Sequence, residues 1–376
     1  MQQFVTASLD EGQVARWRHF SASLPSAHYR QDPAWVATER GGPAWSERRP
    51  YFFSVERNGN LCLTSVGVRR QLPIPGRVIW EFSRGPVFGD PDVLDEWLSW
   101  LEPTLGRAAV RLAVWPYWKL DEGGDEIETI LECRGFVRRR VQYGWSTLLV
   151  DLNPDEDEIL ESFRRQTRQN TYKSLKLGLS ASPEDNPRGW STLHELQVAM
   201  RARVAVEAHR IQTLARICRY WFNGGRGGTV LIERSGDTVT AAALVVVYRT
   251  TAHLVALPSR RVEGLPTSYL AVWEAMRWAK AQGCMTFDMG GYSLMDRAGS
   301  PLSGVKQFKR GFAPQSQPIR FVALHERIND PIVHSIAVRA RRLEATLKST
   351  ARRRTRRRFG DSPNSHGRGA ESQPLP

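Results

Sequence analysis

Apolar and polar positions along the chain fall into two similar series. Residues 52–60 read Phe-Phe-Ser-Val-Glu-Arg-Asn-Gly-Asn, and residues 229–237 read Thr-Val-Leu-Ile-Glu-Arg-Ser-Gly-Asp. Each is an apolar strand, a Glu-Arg pair and a two-residue turn, Asn58–Gly59 or Ser235–Gly236, in which glycine accepts the positive φ of a tight hairpin. Further apolar strands follow at 61–68 and 78–82 in the first series, and at 239–248 and 252–257 in the second. Each series then adopts a helical period. Val93, Leu94, Trp97, Leu98 and Leu101 mark it within 91–105; Leu270, Trp273, Met276 and Ala279 mark it within 268–282, where Gly283 is the stop. A strand closes each series, at 110–115 and at 284–289. The Glu-Arg pairs lie 177 residues apart and the closing strands about 175 apart. Equal spacing at both ends predicts a duplicated α/β unit.

Between the copies, residues 151–178 predict a single helix, with Asn153 as N-cap, Pro154 in the first turn and acid at 155–158 on its positive end. The same stretch turns basic at Arg164, Arg165, Arg168, Lys173 and Lys176 before Gly178 stops it. Helices at 192–209 and 214–222 lead into the second copy. The pattern predicts a first domain over 1–144, a second over 145–325, and a segment over 326–376 made of a strand exit, a helix from about 331 to 347 and a disordered tail.

Composition narrows the class. The longest apolar run, residues 241–248, is far short of the roughly 20 residues that cross a bilayer. The first residues show no basic-then-apolar signal, and 36 aromatic residues exclude a wholly disordered chain. Cys62, Cys133, Cys218 and Cys284 lack zinc or redox spacing and read as reduced thiols of a cytoplasmic protein. Charge changes the picture more. Of the net +14, +9 falls between Arg339 and Arg358, where ten basic residues meet Glu344 alone. Such a run suits a polyanion, either a phosphate backbone or an anionic membrane surface.

Metal and nucleophile motifs are sparse. His194-Glu195 opens like a zinc-protease helix, but Val198 stands where the second histidine is needed. No nucleophile elbow, phosphate loop or dinucleotide loop is present, and the eight histidines are scattered. Two stretches stand out. Residues 287–292, Phe-Asp-Met-Gly-Gly-Tyr, leave the last strand of the second copy; Gly290 and Gly291 allow close approach of a substrate and free amides to point at it. Residues 304–312, Gly-Val-Lys-Gln-Phe-Lys-Arg-Gly-Phe, alternate basic and apolar positions as on a strand or turn, and present lysine to a developing oxyanion or a phosphate. A third signal, residues 261–266, sits where acetyltransferases hold a pyrophosphate on backbone amides, but Pro266 removes one amide.

Together these segments resemble the Fem family of aminoacyl-tRNA-dependent peptidyltransferases over about residues 30 to 325. The resemblance rests on 147–151, the basic stretch 163–178, the Trp-rich helix at 273–279, the Phe-Asp-Met-Gly-Gly segment and Phe308-Lys309-Arg-Gly-Phe. It implies an α/β fold of two tandem acetyltransferase-like (GNAT) domains with mixed sheets flanked by helices. It implies transfer of an aminoacyl group from aminoacyl-tRNA to an amino group of a peptidoglycan precursor, peptide or small molecule, without a covalent intermediate; acyl-CoA is the alternative donor. No metal and no resident cofactor are implied. Lys309 would stabilise the tetrahedral intermediate beside Phe308, with Asp288 either orienting the amine or capping the strand exit. Arg168 and Tyr172, four apart, would contact an acceptor diphosphate, with Arg164 and Lys306 as further phosphate contacts, while the amides near Gly290 and Gly291 would bind substrate and help Lys309 hold the oxyanion. Arg352, Arg353, Arg354, Arg356, Arg357 and Arg358 would meet tRNA. A monomer, working in the cytoplasm or at the inner membrane surface, completes the expectation. Ala313 and the lack of a long inserted helical hairpin depart from the family pattern.

Overall fold

The duplicated order of strands and helix reappears in three dimensions, in a computed structural model that describes residues 2–39, 47–139, 146–201, 211–223, 227–292 and 303–340. The first half runs β1 (Gln2–Thr6), α1 (Glu11–Ala22), α2 (Pro33–Val36), β2 (Arg48–Arg57), β3 (Asn60–Gln71), β4 (Val78–Ser83), β5 (Val87–Phe88), α3 (Pro91–Leu105), β6 (Ala109–Trp115), α4 (Gly124–Cys133) and β7 (Val137–Arg138). The chain continues through β8 (Ser146–Thr147), β9 (Leu149–Asp151), α5 (Glu156–Ser162), α6 (Arg165–Lys176), β10 (Leu179–Pro183), α7 (Pro187–Arg201) and α8 (Ile211–Arg216). The second half then runs β11 (Gly228–Ser235), β12 (Thr238–Tyr248), β13 (Thr251–Ala256), α9 (Tyr269–Ala281), β14 (Thr286–Asp288), α10 (Ser303–Phe312), β15 (Ile319–Arg320) and β16 (His325–Ile328).

Each half has an antiparallel triplet, β2-β3-β4 or β11-β12-β13, whose last strand pairs parallel with the strand after the crossover helix. A parallel partner requires such a crossover, and α3 and α9 supply it. The likeness extends to irregularities: both hairpins slip register at the Glu of the Glu-Arg pair, Val55/Glu56 and Glu233/Arg234. The first turn is Asn58–Gly59, both at positive φ. The second is Gly236–Asp237, one residue later than expected, because Ser235 still pairs with Thr238.

The sheet order is β1-β2-β3-β4-β6-β16-β7 in the first half, with β5 on β3, and β10-β11-β12-β13-β14-β9 in the second. The strand beside β6 therefore arrives from residues 325–328, after the second half is complete, and the strand beside β14 comes from the connection between the halves. The boundary expected near Gly144 lies outside the described residues. Each sheet buries an apolar face under its crossover helix. Every apolar position expected on α3 and α9 is buried.

Residues 151–178 form two helices instead of one. Asp155, not Asn153, caps α5, in a reciprocal capping box with Glu158. Phe163 and Arg164 then turn extended. The reason is tertiary: Phe163 packs edge-on against Trp273 and Phe312, and the Arg164 amide donates to the Gly311 carbonyl at 2.8 Å. Gly178, at φ +73°, ends α6 as expected. The residues through Asn329 form one compact unit and those from Asp330 another. In the latter, 331–340 are helical, with the Val333 amide capped by Asp330. The Arg-rich residues beyond 340 lie outside the described residues. Among the described residues, no helix is long and apolar enough to cross a membrane.

Candidate functional site

The site lies where the carboxyl ends of both parallel strand pairs meet. At the end of β4 and β6, Ser83 faces Trp115; on β13 and β14, His253 faces Asp288. Residues just beyond these ends line one cavity of about 180 Å³: Arg84, Trp115 and Tyr117 from the first half, His253, Asp288, Gly290 and Gly291 from the second. His28, Tyr29 and Arg30 close it from the N-terminal segment. That segment is anchored on the second half, where Tyr29 and Trp35 pack against Trp221.

Asp288 is the hub. One carboxylate oxygen accepts hydrogen bonds from the Thr147 hydroxyl and from the Gly290 amide, the latter at 2.7 Å. The other accepts from His253 Nδ1 at 3.1 Å. Burial pushes the Asp288 carboxyl upward, but these hydrogen bonds outweigh it and hold the group below its ordinary value. The carboxylate is therefore ionised and well held. The expectation of a free Gly290 amide is corrected here, since that N–H serves Asp288. Gly290 still needs to be glycine: it sits at φ +68°, and a Cβ there would meet the Leu254 carbonyl oxygen at 2.8 Å.

Lys309 reaches this hub. Its ammonium donates to the Gly291 carbonyl at 2.7 Å. Burial of the ammonium lowers its pKa to about 8, against the opposing pull of Asp288. The segment carrying it is the helix α10, not a strand or turn. Val305, Phe308 and Phe312 recur at helical spacing, which the basic residues between them obscured. Phe308 touches Tyr269 and Phe312 with ring centroids 5.0 and 5.1 Å apart, so it packs the helix down and orients Lys309.

Gly311 explains the Gly of the Phe-Lys-Arg-Gly-Phe run. An added Cβ would stand 2.0 Å from the Thr167 hydroxyl of α6. Gly311→Ala is expected to destabilise the protein by about 1–3 kcal/mol, as overpacking does. Thr167→Ala should recover much of that loss in urea unfolding; no coupling between the two sites would refute the contact.

The other expected residues are more dispersed. Arg164, Arg168 and Tyr172 belong to the α6 region, and none lines the cavity. Arg168 donates to the Glu161 carbonyl at 2.8 Å and pairs with its carboxylate at 3.1 Å, closing the corner between α5 and α6. Tyr172 is exposed. Lys306 and Arg310 lie over the Tyr292 ring at 5.9 and 5.4 Å. His28, Arg30, Arg84, Tyr117, Thr147 and His253 were not expected in the site. The one available signal was the duplication, which sets the end of β4 opposite the end of β13.

The start of α9, where an acetyltransferase pyrophosphate would sit, is filled from within. The buried Glu233 carboxylate accepts from the Ser268 and Ala271 amides at 3.0 and 2.9 Å and from the Thr240 hydroxyl at 2.7 Å. Burial raises the Glu233 pKa against the effect of those hydrogen bonds. Among the described residues, no cluster of His, Cys, Asp or Glu has the geometry to hold a metal ion.

No curated protein sequence matches the chain. Residues 161–310 match the Acetyltransferase (GNAT) domain family. The crystal structure of FemX superposes with a TM-score of 0.72 at 14% identity, covering 89% of this chain and 99% of that one. L-PGS from Bacillus licheniformis gives 0.51 at 10% identity, over 88% and 96% of the two chains. A tandem GNAT protein from the clavulanic acid biosynthesis pathway gives 0.50 at 10% identity, over 87% and 98%. With its duplicated sheets and their facing strand ends, the chain has a tandem α/β fold similar to that of FemX, and its residues 161–310 match the acetyltransferase (GNAT) domain.

Proposed function

We propose that this protein moves an aminoacyl group from aminoacyl-tRNA to an amino group of a peptide or cell-wall precursor. The observation that carries the reading is the Lys309 ammonium, fixed on the Gly291 carbonyl beside the ionised Asp288. An ammonium has three N–H donors, and the bond to Gly291 uses one. The acceptor amine attacks the ester carbonyl, forming the new C–N bond. The negative charge on the carbonyl oxygen is met by Lys309. Collapse breaks the ester C–O bond, and the ribose oxygen leaves with the proton lost by the amine. An aminoacyl ester is already activated, so positioning supplies roughly 7–11 kcal/mol of the barrier and one oxyanion donor about 3–4 kcal/mol.

Glu233 favours the ester donor over acyl-CoA. A carboxylate on the first amides of α9 repels a pyrophosphate and uses the donors it would need. The Arg352 to Arg358 run offers the polyanion-binding element that a tRNA donor requires.

The deciding experiment offers the full-length protein mixed charged tRNAs or labelled acetyl-CoA, each with a panel of peptide amines. Label passing from tRNA supports the reading; label passing only from acetyl-CoA overturns it. A pH profile adds a second check. Lys309 acts as a cation and loses its proton near pH 8 rather than at the ordinary lysine value. Single-turnover transfer should therefore fall as pH rises through about 8. In Lys309→Arg, whose charge persists at high pH, that falling limb should vanish; a limb unchanged in the variant assigns the titration to another group.

A further inference from the structure

We propose that His253 is a further catalytic residue: oriented by Asp288, it takes the proton from the attacking amine and passes it to the leaving oxygen. The inference rests on the transfer reading for the reaction it serves; the pair itself is argued from its geometry.

His253 and Asp288 are register partners on the parallel strands β13 and β14, so their side chains leave the sheet on one face. His253 Nδ1 lies 3.1 Å from an Asp288 carboxylate oxygen, and both residues are buried. A buried carboxylate and its partner are often no better for stability than apolar residues of the same volume. The last pair of the parallel ladder in the first half is Ser83 and Trp115, so the α/β unit is built there without such a dyad. The scaffold is repeated and the dyad is not.

Asp288 is fixed independently of His253. The Thr147 hydroxyl and the Gly290 amide hold its other oxygen. A carboxylate on Nδ1 selects the tautomer with its proton there and leaves the Nε2 lone pair as the base. The His253 ring packs against His28 and Tyr29, with centroids 5.3 and 5.0 Å away, and lines the cavity at the strand ends. Lys309 reaches the same strand exit through the Gly291 carbonyl. Base and oxyanion donor therefore arrive from separate elements, β13 and α10.

The second histidine of the cavity is unsuited to this role. His28 Nδ1 accepts from the Arg30 amide at 3.1 Å, which places its proton on Nε2 and leaves no lone pair for a substrate. Burial, then His253, Arg84 and Arg30, hold its pKa well below the ordinary value. In the reaction, attack forms the C–N bond and leaves the nitrogen with a proton to lose. Nε2 accepts that proton, and Asp288 stabilises the imidazolium. As the ester C–O bond breaks, Nε2 returns the proton to the ribose oxygen, and His253 ends as it began. Asp288 is then a positioning residue that acts through His253.

The test uses the full chain in two measurements. In the first, steady-state transfer to peptide amines from charged tRNA or labelled acetyl-CoA is compared for the wild type and His253→Asn. The asparagine amide N–H takes the place of Nδ1–H on Asp288 but supplies no base. A fall in kcat of about 20-fold or more is expected, with KM little changed. Added imidazole should restore part of the rate to His253→Ala and none to Lys309→Ala, a rescue that a packing role would not give. In the second, long-range proton–nitrogen NMR on wild-type protein carrying nitrogen-15 histidine, assigned with His253→Asn or His253→Ala, reads which ring nitrogen bears the proton. The expected result is Nδ1 for His253 and Nε2 for His28. The proposal is overturned if His253→Asn keeps its rate within about threefold of the wild type, if imidazole fails to rescue a folded His253→Ala, or if His253 bears a proton on Nε2. Should the wild type pass label from acetyl-CoA alone, the tRNA reading falls, while a loss in His253→Asn still assigns the base, because an amine attacking a thioester sheds the same proton. Should label pass from tRNA with His253→Asn unimpaired, the base falls and the donor reading stands.

Discussion

Lys309→Ala is expected to lower kcat for aminoacyl transfer by about 10²- to 10³-fold, with KM little changed. In the proposed reaction the ammonium meets charge that exists only in the tetrahedral intermediate, so its removal should be felt in the transition state more than in the bound substrate. The fold should tolerate the change. Asp288 keeps its hydrogen bonds from Thr147, Gly290 and His253 when Lys309 is truncated, and the lost cation was one that burial disfavoured. Single-turnover transfer from charged tRNA, alongside thermal unfolding, checks both halves of this expectation. A loss smaller than fivefold with an intact fold removes Lys309 from the chemistry.

Gly290→Ala should have the second largest effect, acting on stability and activity together. The left-handed backbone costs a non-glycine residue about 1–2 kcal/mol. The new Cβ also meets the backbone oxygen of Leu254 at 2.8 Å, an atom of the sheet that cannot swing aside as a side-chain tip does. Overpacking adds about 1–3 kcal/mol. The strand exit must shift, and with it the Gly290 amide that steadies Asp288 and the Gly291 carbonyl that holds Lys309. A drop in unfolding free energy of about 2–4 kcal/mol is expected by denaturant titration, together with a transfer defect larger than that of Gly311→Ala. Wild-type stability in the variant would refute the close approach.

The duplication was legible because it is written in local pattern. Strand alternation, a helical period and a Glu-Arg-turn sequence recur at one spacing, and the two halves share even the register slip at Glu56 and Glu233. Lys309 and Asp288 stood out in a basic run and at a strand exit, and the fold sets both beside Gly290. The helical state of 303–312 was not legible, since a ten-residue stretch with interleaved charge supports more than one period. Neither was the break at Phe163, which no propensity dictates: its side chain is drawn between Trp273 and Phe312. The role of Glu233 was equally hidden, because it depends on α9 beginning 35 residues later beside the bulged strand.

By itself, then, the order of residues determined the repeated α/β unit, its first hairpin turn and its buried helix faces, and it marked Lys309 and Asp288 as candidates. Each follows from neighbours a few positions apart, where sterics and periodic burial act directly. Only the tertiary structure decided that the two units present equivalent strand ends to one another, that Arg84 and Tyr117 of one meet His253 and Asp288 of the other, and that His28 joins them from an anchored N-terminal segment. The encounters between the halves span 136 to 204 residues of chain. They arise from long-range packing such as that of Tyr29 and Trp35 on Trp221, an energy summed over many side chains that no short stretch of sequence carries.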